Sequence, residues 1–165
     1  MKIRTVKANN KKHAFEVTVF NGQVFDFPYS QLTLKPSSTN RIREVAIDSE
    51  LGKEAFTYTL ESGDCDAVHI DHVLHFVNEP EYVHELLRHN LSLTAHRLVA
   101  EGNVAKKELL RRLKTSPSQL DRLIDPSNTK TSIGKLLTLI VACEGKIDFS
   151  VDGESILRNE ELEPA

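Results

Sequence analysis

The sequence predicts an α+β protein: a small antiparallel β-sheet unit with a short helix, followed by a four- or five-helix domain. Three observations carry this. Six short runs rich in Val, Ile, Phe, Tyr and Thr fill the first seventy or so residues, several of them alternating apolar with polar positions as a half-buried antiparallel sheet requires. After Ile70 the apolar period changes to that of a helix. The aromatic residues follow the same division: five of the seven Phe and two of the three Tyr precede residue 60.

The strands are expected in "IRTVKA", "HAFEVTVF", "QVFDF", "IREVAID", "AFTYTLE" and "DAVHID". Asn21-Gly22 between the second and third is the two-residue signal of a tight hairpin, and Ser62-Gly63-Asp64 divides the fifth from the sixth. "LKPSSTN", from Leu34 to Asn40, reads as a loop, and no internal repeat is apparent. Val73, Leu74, Phe76 and Val77 start a short helix that Glu79-Pro80 interrupts. Pro80 can open the next one, which runs as one long or two shorter helices to a stop at Gly102-Asn103. Further helices are expected over Val104–Lys114, from Ser116 or Ser118 to Asp125, and over Ser132–Glu144, each with a leucine-rich face to bury. "KIDFSVD" reads as a final short strand. The expected organisation is a β-rich domain over residues 1–80, a helical domain over 81–150 and an acidic, flexible tail over 151–165.

Charge sharpens the division. The net formal charge is -3, yet Val83 to Ser150 holds eleven Lys and Arg against seven Asp and Glu, a local excess of +4 masked by acidic flanks. No apolar run is long enough to span a bilayer and the amino terminus lacks a signal-peptide centre, so a cytoplasmic protein with no membrane partner is expected. Cys65 and Cys143 form no CxxC pair and read as reduced structural thiols. His69, Asp71, His72, His75 and Glu79 invite a metal reading, but without a Cys pair or an HExxH motif none is expected. Nor is there a GxSxG elbow, a phosphate-cradling glycine loop or a cysteine in catalytic context, so neither an enzyme nor a cofactor is expected.

The stretch "LKTSPSQLDRLIDPSNTKTS" carries the functional expectation. Ser116 suits an N-cap and Pro117 the first helical position. Leu120, Leu123 and Ile124 would then face inward while Ser118, Gln119, Asp121 and Arg122 face out. This is the layout of a helix-turn-helix, in which a buried seam holds the second helix and its amino-terminal turns meet base edges and phosphates. Gln pairs with adenine, Arg with guanine, and Asp can accept from cytosine. Lys106 and Lys107, with Arg111, Arg112 and Lys114, supply cations for phosphates on the preceding helix.

"GNVAKKELLRRLKTSPSQLDRLIDPSNTKTSIGKLLTLI" resembles the helix-turn-helix of the lambda-repressor-like (XRE) family, specifically small bacterial proteins with an amino-terminal β-rich domain. "TVKANNKKHAFEV", "DFPYSQL", "ELGKEAFTYTLESGDCDAVHIDHVL" and "NEPEYV" extend the resemblance over nearly the whole chain. It implies a lambda-repressor-like helical domain and a sequence-specific transcriptional regulator binding double-stranded DNA, usually as a homodimer. Lys106 and Lys107 would start the first motif helix, Ser116 would cap the recognition helix, and Pro117, Ser118, Gln119 and Arg122 would lie on its exposed face. The chain departs from the pattern at Leu110 (usually alanine), Lys114 (usually glycine) and Asp121 (usually tyrosine), so a strained turn and altered base reading are expected there. The β-rich half could serve dimerisation, ligand sensing or a protein partner. The competing reading is a non-catalytic interaction module, antitoxin-like or adaptor, whose helical corner is only structural.

Overall fold

The computed structural model describes residues 1–157. The chain is mixed α and β and divides into two compact units, Met1–Val83 and a second from His84 onward.

The first unit contains two three-stranded antiparallel meanders. One runs through β1 (Ile3–Asn9), β2 (Ala14–Val19) and β3 (Val24–Pro28), ending in a single 3-10 turn over Tyr29–Gln31. The other runs through β4 (Ile42–Asp48), β5 (Ala55–Leu60) and β6 (Cys65–His69), ending in helix α1 (Ile70–Phe76). These positions follow the apolar alternation closely, because each strand has one face to bury.

The meanders are copies of one design, an internal repeat that inspection of the sequence does not reveal. Ala14 pairs with Pro28 and Thr18 with Val24 in the first, as Ala55 pairs with His69 and Thr59 with Cys65 in the second. Both first strands slip register at the same place, between Ile3 and Thr5 and between Ile42 and Glu44. The Asn9 carboxamide accepts the N–H groups of Lys11 and Lys12 as the Asp48 carboxylate accepts those of Glu50 and Leu51. Each tight turn places a glycine where only glycine sits without strain, Gly22 at φ +92° and Gly63 at φ +93°. Only seven residues coincide between the matched strands and turns (Ile3/Ile42, Arg4/Arg43, Val6/Val45, Ala14/Ala55, Phe15/Phe56, Thr18/Thr59 and Gly22/Gly63). The matching residues Phe15 and Phe56 meet edge to face with ring centroids 5.0 Å apart, so the equivalent position of each copy packs on the other. Around them Val17, Val19, Phe27, Tyr58, Leu60, Val68, Val73 and Leu74 complete a single core. The copies diverge after the third strand. Tyr29 and Ile70 start corresponding helical turns, but Pro36 and the polar residues around it leave the first no helix to continue.

α2 (Pro80–Glu101) opens in the last residues of the first unit and runs on as the first helix of the second; it is one continuous helix, since nothing between its opening proline and Gly102 interrupts the backbone ladder. It is followed by α3 (Lys106–Leu113), α4 (Pro117–Ile124) and α5 (Ile133–Ala142). Ala95, Val104, Leu109, Leu120, Leu136, Leu139, Ile140 and Cys143 form its core. Of the two cysteines read as structural, only Cys143 is buried; Cys65 is exposed. Ser150–Val151 (β7) pairs with Glu154–Ser155 (β8) around Asp152-Gly153, both at positive φ. The rest of the expected acidic tail, residues 158–165, lies outside the described residues. No helix among the described residues is long and apolar enough to cross a membrane.

Candidate nucleic-acid interface

The corner between α3 and α4 is built from three successive local devices. First, Lys114 takes the left-handed conformation (φ 50°, ψ 46°), which turns the chain out of α3 and lets the Thr115 N–H donate to Leu110 O at 3.1 Å. Second, Ser116 caps α4: its hydroxyl accepts the Gln119 N–H at 3.3 Å while the Gln119 carboxamide oxygen accepts the Ser116 N–H at 3.4 Å. Third, Pro117 occupies the first turn, where its missing N–H has no partner to lose. The Gln119 oxygen also accepts the Thr115 hydroxyl at 2.9 Å, so one edge of this side chain is committed to the corner and only its NH2 edge stays available.

Leu120 is fully buried and Leu123 and Ile124 are half-buried, which seats α4 and turns Ser118, Gln119, Asp121 and Arg122 outward to solvent. Most cations of α3 are already engaged. Lys106 Nζ lies 2.8 Å from Asp121 Oδ1, a tie from α3 to α4 between two mostly exposed groups. Arg111 and Arg112 both bind Glu108, and their hydrogen bonds, Arg111's first, hold its carboxyl down at about 2. Arg112 further donates to Ala142 O at 2.9 Å and to Glu144 at 3.1 Å, fastening α3 to the end of α5. Lys107 is exposed and makes no ion pair among the described residues.

Three further cations without an ion pair among the described residues, Arg122, Lys130 and Lys135, line one concavity beside α4. Asp125 to Thr131 returns past the helix as an ordered loop: Asp125 Oδ1 accepts the Ser127 N–H and hydroxyl, and Asn128 Nδ2 donates to Arg122 O at 2.9 Å. Between this loop, α4 and the start of α5 is an open concavity of about 620 Å³, lined in part by Thr115, Gln119, Arg122, Asn128, Lys130 and Lys135. No carboxylate lines it, and none of its three cations forms an ion pair among the described residues. Sequence reasoning alone does not single out Asn128, Lys130 and Lys135. For Asn128 and Lys130 the available signal is the polar run "DPSNTK" directly after the expected recognition helix; Lys135, in the first turn of the next helix, has none.

The histidine-rich junction has a structural use: His69 caps α1, its Nδ1 accepting the Asp71 N–H at 3.3 Å. No group of three or more His, Cys, Asp or Glu among the described residues is placed to hold a metal ion. Comparison of the chain with protein-family models, with curated proteins and with solved structures gives no match.

Proposed function

We propose that the second unit binds double-stranded DNA through a lambda-repressor-like helix-turn-helix, and that the protein is a sequence-specific transcriptional regulator. The observation that carries this reading is α4 itself. A buried seam and a reciprocal cap hold it, its outer face is polar, and it borders a concavity with three cations that, among the described residues, meet no acid. Sugar-phosphate backbones are recognised by such cations together with hydroxyl and amide donors, and base edges by Arg and the free amide edge of Gln. Arg122 is assigned to base reading, Ser116 and Ser118 to the phosphate or base near the helix start, and Lys107, Lys130 and Lys135 to phosphates. One recognition helix covers a half-site, so a homodimer on a near-palindromic operator follows.

Selection from a random duplex library, followed by fluorescence anisotropy over a salt series, tests the reading. The selected duplex should be near-palindromic, and its affinity should fall steeply with salt as phosphate counterions are released. Arg122→Ala should weaken binding to it by about 1–3 kcal/mol. Salt-independent association, or an Arg122→Ala variant that binds as tightly as the parent, rejects it.

A further inference from the structure

The duplicated meander exposes a place where its two copies do not match. In the second copy the start of β5 is closed by the chain's first residues: the Ile3 N–H donates to Lys53 O at 2.8 Å, and the terminal ammonium lies 3.9 Å from the Glu54 carboxylate. Under the repeat, Ile3 corresponds to Ile42 and Glu54 to His13. In the first copy the segment leading to Ile42 stands away from the turn before β2. An open concavity of about 580 Å³ lies between them, within the range of small-molecule sites.

Its lining has a consistent chemistry. The Tyr29 ring, set edge-on to His13 at 6.4 Å, forms apolar wall together with Pro36 and Ile42. Lys35 and Arg41 supply positive charge, and among the described residues no Asp or Glu lines the space. The nearby acid is spent elsewhere: a Glu61 carboxylate oxygen accepts the backbone N–H of Arg41 at 3.1 Å, while the guanidinium Nε donates to Ser38 O at 3.4 Å. Neither Lys35 nor Arg41 forms an ion pair among the described residues.

We propose that the first unit binds a small organic acid here, its carboxylate on Arg41 and Lys35 and its flat apolar body against Tyr29, Pro36 and Ile42. This site stands on observations independent of the DNA-binding reading.

The test is amide-resolved NMR on the full chain, titrated with 4-hydroxyphenylacetate. Saturable shifts confined to Asn10, His13, Ser37, Ser38 and Arg41 are expected. Arg41→Gln and Lys35→Gln, both at exposed positions, should each weaken the binding about tenfold with the remaining spectrum unchanged, and Lys130→Gln should leave it as it is. Absence of saturable shifts up to about 10 mM overturns the proposal. So does equal response to inorganic phosphate, which would mean simple anion attraction, and so do shifts centred on Arg122 and Lys130.

Discussion

Tyr58 shows how a single buried side chain sets a pH limit. Its ring is almost wholly inside the first core, and its hydroxyl donates to Leu34 O at 2.8 Å. Burial, with the Asp66 charge adding to it, pushes the phenol up to about 12. An unfolded tyrosine ionises near 10, so the folded value is the higher of the two. The resulting stabilisation is complete below about pH 10 and is lost as pH rises through about 12. An alkaline titration followed by phenolate absorbance should therefore show Tyr58 ionising last of the three tyrosines, as the first unit unfolds, with Tyr29 and Tyr82 also raised by burial; three simple titrations near 10 would contradict the assignment. Lys114 poses a different trade-off. An L-residue in left-handed conformation is strained by about 1–2 kcal/mol, and glycine relieves that while loosening the unfolded chain. Lys114→Gly should raise stability by about 1 kcal/mol, read as a higher urea midpoint at constant slope, and at the same time weaken duplex binding through the lost cation.

At the scale of elements, what was legible depended on whether the signal was local. All six strands of the first unit stand where apolar patterning and turn chemistry place them: the central strands β2 and β5 bury every second residue, and β1 and β4 keep one apolar side despite their register slip. The cap at Ser116 was equally legible, since Ser, Pro and Gln lie within four residues of one another. The repeat was not. What its copies share is register, turn conformation and the side of each strand that is buried, properties that many different apolar residues satisfy. The connections also differ: four residues, Asn10 to His13, join β1 to β2, whereas six, Ser49 to Glu54, join β4 to β5. The candidate site was legible only along α3 and α4. The Lys106–Asp121 pair spans fifteen positions, and Lys130 and Lys135 join Arg122 only because the hydrogen-bonded loop after Asp125 turns back past α4. Neither relation has a periodicity to read.

For the whole molecule, the net charge of -3 says little about what the second unit meets; the placement of charges within it says more. Asp121 is the test of that statement. It stands on the proposed recognition face and holds Lys106 at 2.8 Å, so the parent protein presents a neutralised pair where a phosphate-binding cation was expected. Both groups are more than half exposed, and such a pair contributes little to stability, so opening it leaves the fold in place. Asp121→Asn keeps the shape, removes a negative charge beside the phosphates and releases Lys106. If the released lysine reaches a phosphate, the slope of log affinity against log salt should steepen by about 0.9, the value of one additional neutralised phosphate. Affinity for random duplex should rise more than affinity for the selected one, because a lysine on a phosphate reads no sequence. A double variant with Lys106→Ala should return the slope to that of the parent. A slope unmoved by Asp121→Asn would place the phosphates on the Arg122, Lys130 and Lys135 side of α4 alone, and would leave the Lys106–Asp121 pair as a brace between helices.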